Sequence, residues 1–221
     1  MMILFRTLLF AVAVLLPAAA EKQAVLTMEM YYGDTKIADV RDQLQIGADH
    51  YEINSTAAAV GLAKILHGDS SFFSSGEVDS THGLLMTVYQ GNRGRRDPQQ
   101  AVRMGDQLQL QRGEETRTEQ LSEPLFDYLS AIYRSYALGT VAIGKLKFTN
   151  GWRLRDYDYV IEGEETVMTG MGEIATVVIL RDSERGARRI WLAPSLDYLP
   201  VRLYVDEKGH EFTMIVQSVE K

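Results

Sequence analysis

Two periodicities run along the chain, and the shorter one dominates. In AVLTMEMYYG, Leu26, Met28 and Met30 fall on one parity and Thr27, Glu29 and Tyr31 on the other. In KIADVRDQLQIG, Ala38, Val40, Leu44 and Ile46 share a face that Lys36 and Asp42 interrupt. Asp39, Arg41, Gln43 and Gln45 hold the other. Successive strand side chains point to opposite faces, so alternation at period two marks a sheet with one dry and one wet face. GDT between the two runs supplies a hairpin turn, and HYEINSTA follows as a third strand. Strand-like runs recur at SFFSSGEVDS, GLLMTVYQG and AVRMGDQLQLQRGEETRTEQ, the last broken at Gly-Asp and Gly-Glu. Further strands are predicted near Lys145–Thr149, Arg153–Glu162, Glu165–Thr169, Gly172–Arg181, Arg188–Ala193, Val201–Asp206 and Glu211–Val219. NGW, EGEE, TGMG and DEKGH are their turns.

The helical period appears twice. STAAAVGLAKILHG places Ala58, Leu62, Ile65 and Leu66 near helical spacing, with Ser55 or Thr56 as N-cap and Gly68 as stop. SEPLFDYLSAIYRSYALG is clearer. Ser122 is the expected cap, Pro124 sits in the first turn, and Gly139 ends the helix. Leu125, Leu129, Ile132 and Tyr136 recur on one face, which Phe126 and Tyr133 widen. Strands here follow strands and do not alternate with helices. The predicted fold class is therefore mainly β: a curved antiparallel sheet or open β-barrel-like domain with one or two packed α-helices. A single domain is expected over 21–221.

The first twenty residues change the picture of where the chain acts. Arg6 precedes an apolar run from Thr7 to Leu16, Pro17 breaks it, and Ala18-Ala19-Ala20 offers a small-residue cleavage site. That order is a secretory signal peptide, with cleavage expected after Ala20 and a periplasmic destination. An uncleaved anchor is the alternative, but the run falls well short of the roughly 20 residues that span a bilayer. No later stretch has transmembrane length, so the mature chain is expected to carry no integral span. The net charge of −7 opposes binding to a phosphate backbone, and no nucleic-acid partner is expected. The chain has no cysteine, which excludes a lipidated cysteine after the leader, disulfides, cysteine-zinc sites and cysteine nucleophiles.

Reactive constellations are sparse. His50, His67, His82 and His210 are isolated in sequence, so neither a metal nor another cofactor is expected. There is no G-x-S-x-G elbow, and HGDSS reads as a helix stop followed by a turn. Glu162, Glu164 and Glu165 invite a comparison with glycosidases, which need two carboxylates facing one sugar, but EGEE reads as a solvated hairpin tip. NRGRRDPQQAVR gathers Arg93, Arg95, Arg96 and Arg103. It suits anionic headgroups or polysaccharide, or a solvated loop balanced by acids such as Asp97. RRIWLAPSLDYLPVRLYV contains Ser195 and Asp197, but its prolines make it two strands joined by a turn. What remains is apolar surface on strands and helix. In a closed core it packs against itself; in a half-open barrel it lines a cavity, and both need the same alternation. The candidate cavity residues are Phe126, Leu129, Ile132 and Tyr133, with Trp191 and Tyr198 at the mouth.

In order and spacing, MEMYYGDTKIADV, FFSSGEVDSTHGLL, FDYLSAIYRSYALG, YDYVIEGEETVMTGMGEIATVVI and RIWLAPSLDYLPVRLYVDEKG resemble an exported bacterial family known as domain of unknown function 3108. GLLMTVYQG departs from the pattern, which has a proline before the tyrosine. The resemblance implies an exported protein on a curved antiparallel sheet and carries no catalytic residues with it. The closing Trp–Asp–Pro hairpin is also similar to that of periplasmic lipoprotein carriers, whose half-barrel holds acyl chains. The expected role is non-enzymatic binding of an apolar small molecule, a lipid or an envelope protein. The alternatives are an envelope scaffold with a filled core, and a hydrolase of envelope polymers using Glu162, Glu164 or Asp197.

Overall fold

The computed structural model describes residues 21–181, 186–207 and 209–221; the expected leader lies outside the described residues. Two meanders build one sheet. The first runs through β1 (Lys22–Tyr32), β2 (Thr35–Ile46), β3 (His50–Ala59), β4 (Ser70–Asp79), β5 (Gly83–Arg93), β6 (Gln99–Met104), β7 (Gln107–Arg112) and β8 (Glu115–Gln120). The second runs through β10 (Gly144–Thr149), β11 (Leu154–Thr169), β12 (Gly172–Arg181), β13 (Arg188–Ala193), β14 (Leu199–Glu207) and β15 (His210–Glu220). β1 pairs antiparallel with β15, which joins the meanders into a continuous order from β8 to β10. β9 (Leu125–Phe126) adds a short parallel edge on β10. The sheet is thus curved, open and almost wholly antiparallel, as the alternation implies.

Curvature has local causes. Register shifts interrupt the ladders at Thr27/Met28, Met30/Tyr31, Ser75/Gly76, Ile161/Gly163 and Trp191/Leu192. An extra residue on one strand bends it and increases its twist. At Gly76 a Cβ would sit 2.0 Å from the carbonyl oxygen of Leu85, so this bulge tolerates only glycine. The bend brings the two ends of the sheet together without pairing them. The β10–β11 turn crosses onto β6, where a Cβ on Gly151 would lie 2.9 Å from that of Gln99. Trp152 in that turn lies under two guanidiniums, Arg112 at 4.9 Å and Arg117 at 4.8 Å. Arg117 also donates to the Trp152 carbonyl at 2.6 Å.

The hollow of the sheet holds α2 (Tyr128–Leu138), which packs on β4, β5, β10 and β14. None of its residues is exposed. Its C-terminus is as expected: Gly139 adopts φ 65 and closes the last turn. Its N-terminus differs from the expected cap at Ser122. Leu125 and Phe126 are drawn into the sheet as β9, which holds the chain extended until Asp127. Asp127 is the cap, accepting from the backbone N–H of Leu129 (2.7 Å) and of Ser130 (3.2 Å), while Ser130 Oγ accepts from the Asp127 N–H. Asp127 is fully buried, and Ser74 on β4 donates to its other oxygen at 2.5 Å. Ser74 in turn meets Tyr51 on β3 at 2.9 Å.

Two further expectations are corrected. α1 (Gly61–Leu66) is only six residues long, because Ser55 to Ala59 pair with β2 and extend β3 instead of capping a helix. Glu162-Gly163-Glu164 is no hairpin tip. It is a bulge inside the continuous β11, whose partner β12 runs alongside on both sides of it.

Two predictions follow from this framework. Trp152→Ala should lower stability by about 2 kcal/mol, through lost apolar burial and two lost cation–π contacts, read as a shifted urea midpoint. The second concerns pH. Burial raises the carboxyl of Asp127 from its ordinary 3.8 to about 6, although Ser74, Ser130 and Leu129 all favour the charged form. The folded state therefore binds a proton the unfolded state has released. The resulting stability is full below about pH 4 and is lost as pH rises through about 6, up to roughly 3 kcal/mol. Asp127→Asn keeps the cap, since asparagine caps as well as aspartate. Thermal melts from pH 4 to 7 should then show a shallower fall in Tm than the parent chain.

Candidate functional site

α2 fills one part of the hollow and leaves another open. Beyond its N-terminal turn lies a cavity of about 260 Å³. Its walls are the inward parity of both meanders: Met28, Met30 and Val40 from one side, Leu203, Val205, Phe212 and Met214 from the other, with Phe72 and Phe148 between them. Tyr128, Leu129 and Ile132 of α2 form its floor. Alternation along each strand explains this lining: the inward parity that packs into the core with α2 also supplies the cavity walls.

The polar groups of the cavity are uneven. Asp42 is the acid on its wall, on the apolar face of β2 that it interrupts in sequence. Its side chain accepts a short hydrogen bond from Tyr133, while Oδ1 has no hydrogen-bond partner. Ser55 lies close enough to favour the ionised form without a well-formed bond to that oxygen. Burial dominates and pushes the Asp42 carboxyl up to about 6. Against this single acid stand Arg93, Arg155 and Arg188, all half-buried. Arg188 sits over the ring of Tyr128 at 5.2 Å and Arg93 over Phe72 at 5.5 Å. The Arg188 Nε is buried with no hydrogen-bond partner. Behind them Arg181, 5% exposed, packs on Tyr157 at 4.5 Å. Burial, and then the charge of Arg188, pull the Arg181 guanidinium below its ordinary value. Burial pushes the Tyr128 phenol up, against the opposing pull of Arg188 and Arg93.

Leu129 and Ile132 are the sequence candidates that line this cavity. Tyr133 stands one hydrogen bond behind it, through Asp42. Phe126 is buried in β9 beneath Arg134, at 5.2 Å. Trp191 is buried elsewhere in the sheet: its Nε1 donates to Glu165 at 2.8 Å, and Arg202 covers its ring at 4.7 Å. Tyr198 lies half-buried in the β13–β14 turn with φ 63. That turn sits by the other end of α2. Its Asp197 binds Lys221 at 2.7 Å, Lys221 reaches over Tyr136, and Lys22 donates to the Tyr136 carbonyl at 2.8 Å. An eleven-residue helix is about 16 Å long, so Tyr198 and the cavity are separated by most of α2.

The remaining chemistry is dispersed. Glu162 forms a bidentate pair with Arg189 (2.6 and 2.8 Å), and neither Glu162, Glu164 nor Asp197 lines the cavity. Among the described residues there is no group of three or more metal-ligating side chains, and no helix is long and apolar enough to cross a membrane.

Of the cationic side of the cavity, Arg93 was reached from sequence, in a stretch suited to anionic headgroups, and Arg155 and Arg188 were missed. Their signal was parity: Arg155 shares the inward face of β11 with Tyr157 and Tyr159, and Arg188 that of β13 with Ile190 and Leu192.

No curated protein matches the chain. Among solved structures, the fold is similar to that of a β-barrel-like protein of domain of unknown function DUF1849 from Brucella abortus. That match has a TM-score of 0.56 at 7% identity and covers 90% of this chain and 97% of that one. A protein provisionally described as a lipoprotein from Parabacteroides distasonis aligns with a TM-score of 0.39 at 7% identity, over 90% of this chain and 95% of that one. At such identities the likeness concerns the fold alone. The family described as "Protein of unknown function (DUF3108)" matches residues 27–216, nearly the whole of the described sheet, and the chain belongs to that family.

Proposed function

We propose that this protein is an exported, non-enzymatic binding protein of the cell envelope that holds an apolar chain inside its barrel. The observation that carries the reading is the cavity of about 260 Å³ walled by methionine, leucine, valine and phenylalanine side chains. Apolar cavities lined this way exchange water for a hydrophobic ligand at a net gain, and the volume lies just under the roughly 300–1,000 Å³ of small-molecule pockets. Methionine is the most adaptable of apolar linings, which suits a flexible chain. The leader at residues 1–20 supports an envelope location. A second reading, docking to an envelope protein, draws on α1, where Leu62, Ile65 and Leu66 are 75, 64 and 63% exposed.

A neutral fluorescent probe, N-phenyl-1-naphthylamine, tests the carrier reading. It should be taken up with a blue-shifted emission. Filling the rim with Met30→Trp or Val205→Trp should weaken uptake about tenfold, with Tm little changed because both positions are half-buried. A clean apo mass in native mass spectrometry, together with no probe uptake, would overturn it.

A further inference from the structure

The arginines give the cavity a second requirement. Guanidinium groups remain charged at any physiological pH, and withdrawing such a charge from water is unfavourable unless an anion or hydrogen-bond acceptors replace the water. In this protein the replacement is incomplete. No described carboxylate forms an ion pair with Arg93, Arg155, Arg181 or Arg188, and the Nε atoms of Arg181 and Arg188 are buried without hydrogen-bond partners. The aromatic faces of Tyr128, Phe72 and Tyr157 offset part of the cost. Arg181 also donates through Nη2 to the Gly186 carbonyl at 3.1 Å, and the Tyr159 and Tyr89 hydroxyls lie within reach of Arg188 and Arg93. The buried Nε donors of Arg181 and Arg188 stay unused, and a guanidinium edge matches the oxygens of a carboxylate or phosphate.

Position matters as much as charge. Arg93, Arg155 and Arg188 come from three separate strands, β5, β11 and β13, yet they line one cavity and are all half-buried. Apart from Asp42, Ser55, Asn150 and the hydroxyls of Tyr128 and Tyr157, the rest of the lining is apolar. Asp42, the opposing acid, is itself buried and hydrogen-bonded to Tyr133, so it does not form an ion pair with them. A rim of cations over a greasy interior is the shape of a site for an amphiphile.

Resting on the carrier reading, we propose that the cavity takes an anionic amphiphile, its carboxylate or phosphate head held by Arg188 with Arg93 and Arg155, and its acyl chain among Met28, Phe148 and Met214. The chemistry shared by fatty acids and phosphate-headed lipids is one anionic head on one apolar chain, and the cavity volume suits a single chain.

The test displaces N-phenyl-1-naphthylamine from the full chain with four competitors: dodecanoate, dodecyl phosphate, dodecanol and inorganic phosphate. The two anionic amphiphiles should bind at least about tenfold tighter than dodecanol, as charge-assisted hydrogen bonds would give, and inorganic phosphate should displace nothing. Arg188→Gln should remove that advantage and leave dodecanol unchanged. Arg155→Gln, at the half-buried rim, should do the same in smaller measure and serves if Arg188→Gln melts early. Which anion binds tighter identifies the head. Equal binding of dodecanol and the anions would overturn the inference and leave the carrier reading standing. Displacement by inorganic phosphate as strong as by dodecyl phosphate would replace the amphiphile with a free-anion site. Failure of every apolar competitor and of the probe itself would remove both readings together.

Discussion

The fold depends on a buried carboxylate. Asp127 ends the extended run of β9, starts α2, and ties both to β4 through Ser74. Each of these bonds answers a backbone or hydroxyl group that burial would otherwise leave without a partner, a loss of about 1–3 kcal/mol apiece. Because the cap lies inside the sheet, it also sets how deep α2 sits and where it begins. A helix that started at Ser122 would take Leu125 and Phe126 into its first turn and leave no β9. The one that starts at Asp127 leaves the neighbouring inward faces of β1, β2, β14 and β15 uncovered, and the cavity is the consequence.

The interior is therefore divided along the helix axis. At the C-terminal end of α2 the closure is tight: Gly139 terminates the helix, Lys22 donates to its last carbonyls, and Lys221 bonds to Asp197 in the adjacent turn. At the N-terminal end, Tyr128, Leu129 and Ile132 line the cavity. The same helix plugs the barrel at one end and floors its cavity at the other. Trp152 and Gly151 complete the enclosure by holding the last strands of one meander against the turn of the other.

Much of this was legible in the residues. The period-two runs gave nearly every strand, since most have one drier and one wetter face and the two parities differ in polarity. The β13 bounds and the Gly139 stop were readable for the same local reasons. Three features were not. Ser55 to Ala59 have small side chains acceptable to helix or strand, and their pairing with β2 decided for the strand. EGEE looked like a turn because a bulge and a turn use the same glycine. Ser122 looked like a cap because β9, which displaces the cap to Asp127, is two residues long and rests on a partner 22 residues later (Lys147 for Leu125). The candidate cavity was half legible. Leu129 and Ile132 followed from helical spacing. Trp191 and Tyr198 were placed at a mouth from the excess of apolar surface on alternating strands, Arg93 was weighed between a headgroup site and a solvated loop, and Arg155 and Arg188 were not singled out. An arginine on the same parity as buried tyrosines, or an aspartate on an apolar face, carries the more useful information.

The chain as a whole is acidic, with a net charge of −7, yet the cavity is lined by three arginines and one acid whose pKa burial raises to about 6. These do not conflict. Charges on the outer surface are screened within about 8 Å at physiological ionic strength, whereas those at a half-buried rim are screened far less. The acidic exterior gives an anion no long-range attraction, so association gains no electrostatic steering. The rim acts only once an anionic head has arrived and its water has been displaced, where the interaction is strongest. Affinity in such a site comes from slow release, and a ligand without the apolar chain to carry its head into the cavity gains little from the arginines.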